Sequence, residues 1–296
     1  MRYDEALSAY QSAVEKSLNA HMENERIPLT LRAAMAYSLC GGGKRLRASL
    51  VLAASDLFQG NGEAALLMGS AVEMIHAYSL IHDDLPCMDD DDFRRGKPSN
   101  HKVYGEAMAL LAGDALLTYA FELLWQNAPA FCESVPSYNK ACAEIARAAG
   151  PGCMIAGQAA DMENGEGIGA GKETLSYIHQ NKTGALLRAS LLSGALCAEL
   201  SAEDEKAMAL YGERYGLLFQ ITDDILDVEG SLEALGKTPG KDVKNGKLTY
   251  VTCYGLDEAK RLAIIAAEEA KAALAPYGAR AWFLNALVDN TLFRKS

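Results

Sequence analysis

The chain has only 8 prolines in 296 residues and no stretch of sustained period-2 alternation. The first leaves long helices uninterrupted, and the second argues against strands. Ala, Leu, Glu and Met are plentiful, so the expected class is all-α. Basic charge is scarce: 28 Lys and Arg against 39 Asp and Glu leave a net charge of −11. A nucleic-acid partner wants a basic face and is excluded on that ground. The 7 cysteines (40, 87, 132, 142, 153, 197 and 253) are odd in number and form no C-x-x-C pair. That excludes a disulfide frame and a zinc site of that kind, and predicts free thiols in a reducing compartment. Met-Arg-Tyr-Asp-Glu at the N-terminus lacks the apolar core of a signal peptide, and no uncharged apolar run reaches the ~20 residues of a membrane span. These absences predict a cytoplasmic protein with no membrane span. Half the residues are apolar, enough for a large core in one big domain over 1–296 or in two small ones.

What is abundant is aspartate, in two clusters. Asp83, Asp84, Asp89, Asp90, Asp91 and Asp92 follow an apolar helical run over 63–84. Solvated alone, they would repel one another at a helix C-terminus, where the dipole already disfavours anions. A bound metal removes that conflict, and hard oxygen ligands with room for water and phosphate point to Mg2+. Asp83 and Asp89 would lie on nearly opposite faces of a straight helix. Pro86 ends or kinks the helix near Leu85, so the chain can fold back and bring Asp89 beside Asp83. The second cluster, Asp223, Asp224 and Asp227, lies in 201–228 among Phe219, Ile221, Ile225 and Leu226. Asp223 and Asp227 share a helix face with no kink, and Gln220 is one turn earlier.

Basic residues accompany the acids. Gly41-Gly42-Gly43-Lys44-Arg45-Leu46-Arg47 places cations where a helix should begin, a position that suits an anion. The same loop also reads as a helix end with solvated charges. Arg94-Arg95-Gly96-Lys97 either bridges the aspartates or holds a diphosphate against metal. His76, Ser79 and Asp83 share a face of their helix. Lys182-Thr183-Gly184 lies inside a helix expected over 174–199, capped by Thr174. Gly184 there either breaks the helix locally or lets a neighbour pack closely. Lys237, Lys241, Lys244 and Lys247 form a solvated loop or a lid over phosphate. Residues 105–127 read as an apolar helix interrupted at Gly113 and Asp114.

Together these motifs resemble the short-chain trans-isoprenyl diphosphate synthases. Gly43 to Arg47 is similar to the family's GKRLR, and Asp83 to Asp89 to its DDxxxxD motif in the bacterial form. Arg94-Arg95-Gly96 resembles its RRG tail, Gly157-Gln158 with Asp161 its GQxxD, and Lys182-Thr183 its KT pair. Gly216 to Gln220 with Asp223 to Asp227 resembles GxxFQxxDDxxD. Ala48 stands where the family usually has proline, which would loosen the start of that helix. The resemblance implies the isoprenoid synthase fold, roughly ten or more helices around a central cavity, usually as a homodimer. It implies Mg2+, about three ions per active site. Asp83, Asp84, Asp89, Asp223 and Asp227 would hold them. It gives Arg94, Lys182, Lys237 and Lys247 to the allylic diphosphate, and Thr183 and Gln220 to the carbocation. Lys44, Arg47, His76 and Arg95 would bind isopentenyl diphosphate. Tyr78 and Ser79 would form the floor that sets product length, here farnesyl. The alternatives are a geranyl or geranylgeranyl diphosphate synthase, and, from a different class, a non-catalytic subunit of a prenyltransferase.

Overall fold

The computed structural model describes residues 2–164, 171–229 and 248–294. The order is α1 (Tyr3–His21), α2 (Leu29–Leu39), α3 (Leu46–Leu57), α4 (Gly62–Asp83), β1 (Phe93–Arg94), β2 (Lys97–Pro98), α5 (Asn100–Tyr104) and α6 (Glu106–Gln126). Then come α7 (Ala128–Phe131), α8 (Tyr138–Ala149), α9 (Met154–Glu163), α10 (Lys172–Ile178), a π-helical segment (His179–Gly184), α11 (Ala185–Ala195) and α12 (Ala202–Glu229). After α12 follow α13 (Tyr250–Tyr254), α14 (Leu256–Ala273), a 3₁₀ turn (Ala275–Ala281) and α15 (Trp282–Leu292). Among the described residues the only strands are β1 and β2, a two-residue antiparallel hairpin. The all-α expectation holds.

The centre is made by helices that are apolar all round. In α3 every residue from Ala48 to Ser55 is buried, and α4 buries residues on all sides from Ala64 to Ile81. A helix with no polar face belongs inside, and each large aliphatic side chain so buried contributes ~1.5–3 kcal/mol. The helix α11 packs on α3, α8 and α12, while α4 packs on α3 and α6 and α12 on α14. Small residues set these distances. A Cβ on Gly194 of α11 would overlap the Val51 carbonyl of α3. Two helices, α4 and α6, are long and apolar enough to cross a membrane by length and composition. The α4 window is 78% buried, which makes it a core helix, whereas the α6 window is only 44% buried.

Several expected boundaries shift for local reasons. The helix expected at Thr174 begins at Lys172 after Gly171, so Thr174 lies inside α10 and caps nothing. It ends at Ala195 rather than 199, and its middle is the π segment. Pro28 is the N-cap of α2, one position before the first turn. The α6 helix is not interrupted. Gly113 instead leaves room for the His82 ring, whose Nε2 lies 3.0 Å from the Leu110 carbonyl oxygen. The capping pair Ser201 and Asp204 forms in both directions, at 3.1 and 3.3 Å.

Candidate active site

The first aspartate motif begins where α4 stops. The Asp89 amide donates to the Asp83 carbonyl (2.9 Å), and the Met88 and Asp90 amides both donate to the Leu85 carbonyl (2.8 and 3.2 Å). The chain thus turns back around Pro86, with Asp90 in the left-handed region at φ 49. The carboxyl of Asp83 is pushed up to about 6, mainly by burial and further by Asp89, against the pull of Lys182. A carboxyl that burial disfavours in its charged form, with a second one folded back beside it, is a donor set short of positive charge, and the all-oxygen set fits Mg2+. Asp84 is different: it is 2% exposed and accepts from Arg94 Nε (2.8 Å) and Nη2 (2.6 Å). The free protein therefore holds Asp84 against Arg94. Further along, Asp90, Asp92 and His101 each bring a possible ligand atom within 4.8 Å of one another, with Asp92 also paired to Lys102 at 2.6 Å.

The basic tail of this motif docks on the glycine-rich loop. Nη1 of Arg95 donates to the Gly42 carbonyl, and Gly43, at φ 135, lies against the Arg95 guanidinium. Lys44 is exposed beside it. Arg45 is buried at the start of α3 and pairs with Glu73 (3.5 Å) and Glu15 (3.7 Å). Arg47 and His76 are half-buried next to them. Burial first, and then Arg47, Arg95, Arg94 and Arg45, hold the His76 imidazole well below its ordinary range. About 40 Å³ of empty space lies among Arg45, Glu73, His76, Arg94 and Arg95. Ala48, expected to loosen the helix start, does the reverse. Its amide donates to Glu73 Oε1 at 3.2 Å, a bond that proline cannot make.

The second motif is built inside α12. Asp223 is exposed, and its carboxylate accepts from Arg294 Nη2 at 2.6 Å. Arg294 also lies over the Phe219 ring, 4.6 Å from its centroid. Asp227 is 4% exposed. Asp224 is buried, and its Oδ2 accepts the Tyr250 amide at 2.6 Å, fixing the start of α13. The half-buried Gln220 amide nitrogen lies 2.8 Å from His179 Nδ1.

Lys182 and Thr183 sit in the π segment. Of the two roles considered for Gly184, the local break takes the form of a widened helix, while the close approach to α12 depends on Gly216, where a Cβ would come 3.2 Å from Gly184 Cα. A π turn leaves backbone carbonyls out of the α pattern and is common at functional sites. Nζ of Lys182 donates to Asp161 at 2.6 Å, so the GQxxD-like motif holds this lysine. Tyr78 is buried one turn before Asp83 and meets the His82 ring edge-on at 5.6 Å. Burial and then Asp83 push its hydroxyl up to about 12. Ser79 Oγ donates to the His76 carbonyl at 3.0 Å. Lys237, Lys241, Lys244 and Lys247 lie outside the described residues. Sequence reasoning missed Arg294, Asp161 as the partner of Lys182, and His179. A lone basic residue after a final helix carries no pattern that would mark it.

Residues 28–275 match the family model for polyprenyl synthetase. The chain belongs to that family. It is 47% identical to farnesyl diphosphate synthase of Geobacillus stearothermophilus over 87% of this chain and 86% of that one. It is 46% identical to chloroplastic geranylgeranyl pyrophosphate synthase of Capsicum annuum, over 90% of this chain and 72% of that one. The crystal structure of a geranyltransferase from Legionella pneumophila superposes with a TM-score of 0.87 at 30% identity, covering 99% of this chain and 97% of that one. This polyprenyl synthetase family member is a prenyltransferase with the isoprenoid synthase fold. Relatives of nearly equal identity are named for farnesyl and for geranylgeranyl products.

Proposed function

We propose that this prenyltransferase is a farnesyl diphosphate synthase. It joins dimethylallyl and then geranyl diphosphate head to tail with isopentenyl diphosphate. The observation that carries a two-substrate reading is the cationic group around Glu73. Burial first, and then Arg47, Arg95, Arg94 and Arg45, hold His76 well below its ordinary range, and Arg95 closes on the glycine-rich loop that carries Lys44 and Arg45. Arg94 serves the aspartate side through Asp84, whereas the positive charge of Arg47 and Arg95 beside His76 suits a second, metal-free diphosphate. A terpene cyclase has no use for it, and a non-catalytic subunit has no use for two intact aspartate motifs.

Asp83, Asp84 and Asp89 on one side, and Asp223 and Asp227 on the other, would hold Mg2+, about three ions, which neutralise charge on the departing diphosphate. Arg94 and Lys182 grip the allylic diphosphate, joined by Lys237 and Lys247. Fixed cations aimed at charge that develops as the allylic C–O bond breaks are electrostatic preorganisation. The carbocation left behind faces the Thr183 carbonyl and hydroxyl and the Gln220 side-chain oxygen. Lys44, Arg47, His76 and Arg95 hold isopentenyl diphosphate so that its double bond attacks the cation, and proximity supplies much of the rate. The released diphosphate takes the final proton.

Tyr78, buried a turn before Asp83, is the proposed floor with Ser79 beside it. The protein acts as a single-domain, cytoplasmic homodimer. The exposed apolar residues Val103, Leu110, Leu111 and Trp125 on α5 and α6 suit the dimer contact. The test is the purified protein with labelled isopentenyl diphosphate, dimethylallyl diphosphate and Mg2+, with products separated by chain length. Farnesyl diphosphate is expected, and no Mg2+-dependent product would end the enzyme reading. Tyr78→Ala should shift products beyond farnesyl. An unchanged profile would remove Tyr78 as the floor.

A further inference from the structure

Gln220 reaches the proposed carbocation through its amide oxygen, yet an amide can turn either end toward a ligand. Its nitrogen end would repel a cation. Something must choose the end. Among the described residues, His179 is in position to do so. Nδ1 of His179, at the first residue of the π segment, lies 2.8 Å from the Gln220 amide nitrogen. The other ring nitrogen, Nε2, lies 3.9 Å from Asp224 Oδ2. Asp224 is held in turn by the Tyr250 amide at 2.6 Å, and the Tyr250 ring lies 5.3 Å from the imidazole. The imidazole side chain is 11% exposed.

The chemistry of the ring follows from its neighbours. At 3.9 Å the Asp224 carboxylate lies beyond hydrogen-bond reach of Nε2 and acts through its charge, which favours the tautomer with the proton on Nε2 and leaves Nδ1 as a lone-pair acceptor. An acceptor beside Gln220 selects the NH2 end of the amide as its partner. The amide oxygen is then the end left to the cavity. We infer that His179 is a positioning residue, one that uses Asp224 to fix its tautomer and so turns the Gln220 carbonyl toward the cationic centre. Gln220 and Asp224 are one turn apart on α12, so a single ring from the π segment engages both. The widened turn gives that ring its place. This inference rests on the prenyl-transfer reading above and adds to it a residue outside the aspartate, lysine and threonine set.

The test uses the full chain with three variants. His179→Phe keeps an aromatic ring of similar size and removes Nδ1. His179→Asn restores an acceptor near the Nδ1 position. Gln220→Leu removes the amide. His179→Phe is expected to lower kcat about 10- to 100-fold with KM for both diphosphates within about twofold, as misplacing one polar group can do. His179→Asn should recover most of that loss. In the Gln220→Leu background, His179→Phe should add less than about threefold, because the histidine acts through the glutamine. A binding measurement separates this from general damage. An ammonium-containing analogue of the allylic diphosphate, titrated calorimetrically with Mg2+, should bind His179→Phe about tenfold more weakly. A neutral thio-analogue should bind as it does to the unaltered protein. Equal losses for both analogues, equal kcat for His179→Phe and His179→Asn, or full additivity with Gln220→Leu would each overturn the inference. If the unaltered protein makes no Mg2+-dependent product, the reading beneath it fails instead.

Discussion

The two aspartate motifs have the same composition and opposite construction. The first is made by a chain leaving a helix. Pro86 ends α4, a few turn hydrogen bonds bring Asp89 back to Asp83, and three of its six carboxylates, Asp89, Asp90 and Asp92, are exposed. The second is made by a helix that continues. In α12 the spacing alone sets the directions of Asp223, Asp224 and Asp227, two of which are buried. A turn-built site can adjust to its ligands, whereas a helix-built site is fixed by everything packed around the helix. Each motif also assigns one aspartate to structure: Asp84 holds Arg94, and Asp224 holds the first turn of α13. In the free protein, then, one carboxylate of each D-D pair is engaged by a neighbouring element.

The sharpest way to break that division is to exchange oxygen for nitrogen on each kind. Asp83→Asn should lower kcat by about 10²–10³-fold and raise the Mg2+ needed for half-maximal rate, in assays over a metal titration. Asp224→Asn should leave the Mg2+ requirement within about twofold and cost ~1–2 kcal/mol in urea unfolding, because a buried acceptor bond is weakened. Similar metal curves for the two variants would mean that both aspartates face metal.

A smaller effect probes the basic side. In the free protein His76 lies well below its ordinary range, held neutral by burial and four guanidiniums. A diphosphate beside it favours the imidazolium, so binding takes up a proton. Isopentenyl diphosphate affinity should then rise as pH falls through the window between the free and bound values, by at most about tenfold per unit from this group. His76→Phe should flatten that component in calorimetric titrations run in buffers of different ionisation heat.

The smallest effect concerns the helix-built motif again. Arg294 pairs with Asp223, whose side chain is 51% exposed, so the pair is weak. Arg294→Ala should lower the Mg2+ needed for half-maximal rate by about two- to fivefold. No change in the metal titration would make Arg294 a bystander to metal entry.

Much of this was legible in the chain because it depends on local rules. The fold-back at Pro86 follows from what proline does to a helix, and the buried helices follow from apolar residues on every face. What was not legible depends on contacts far apart in sequence. The amide of Ala48 matters because Glu73 lies one helix away, at 3.2 Å. The widened turn at Gly184 is approached closely by Gly157 of α9 and Gly216 of α12, residues far from it in sequence on either side. The interruption expected at Gly113 fails because the space it opens is filled by His82. Thr174 looks like a cap, but the helix has already begun two residues earlier, at Lys172. Short helices such as α5 and α13 escape notice because a single turn carries no periodicity.

The π segment, His179–Gly184, holds one more residue than α-helical winding would need. It can be regarded as a spare residue carried in the middle of a helix. Removing one residue there would let the hydrogen bonds close in α register, with the flanking helices keeping their faces and the residues of the segment itself re-aimed. Lys182 and Thr183 would then turn away from the partners that α9 and α12 offer. An insertion that leaves both flanking helices intact is thus the smallest change of chain length that can re-aim a pair of side chains inside a packed core.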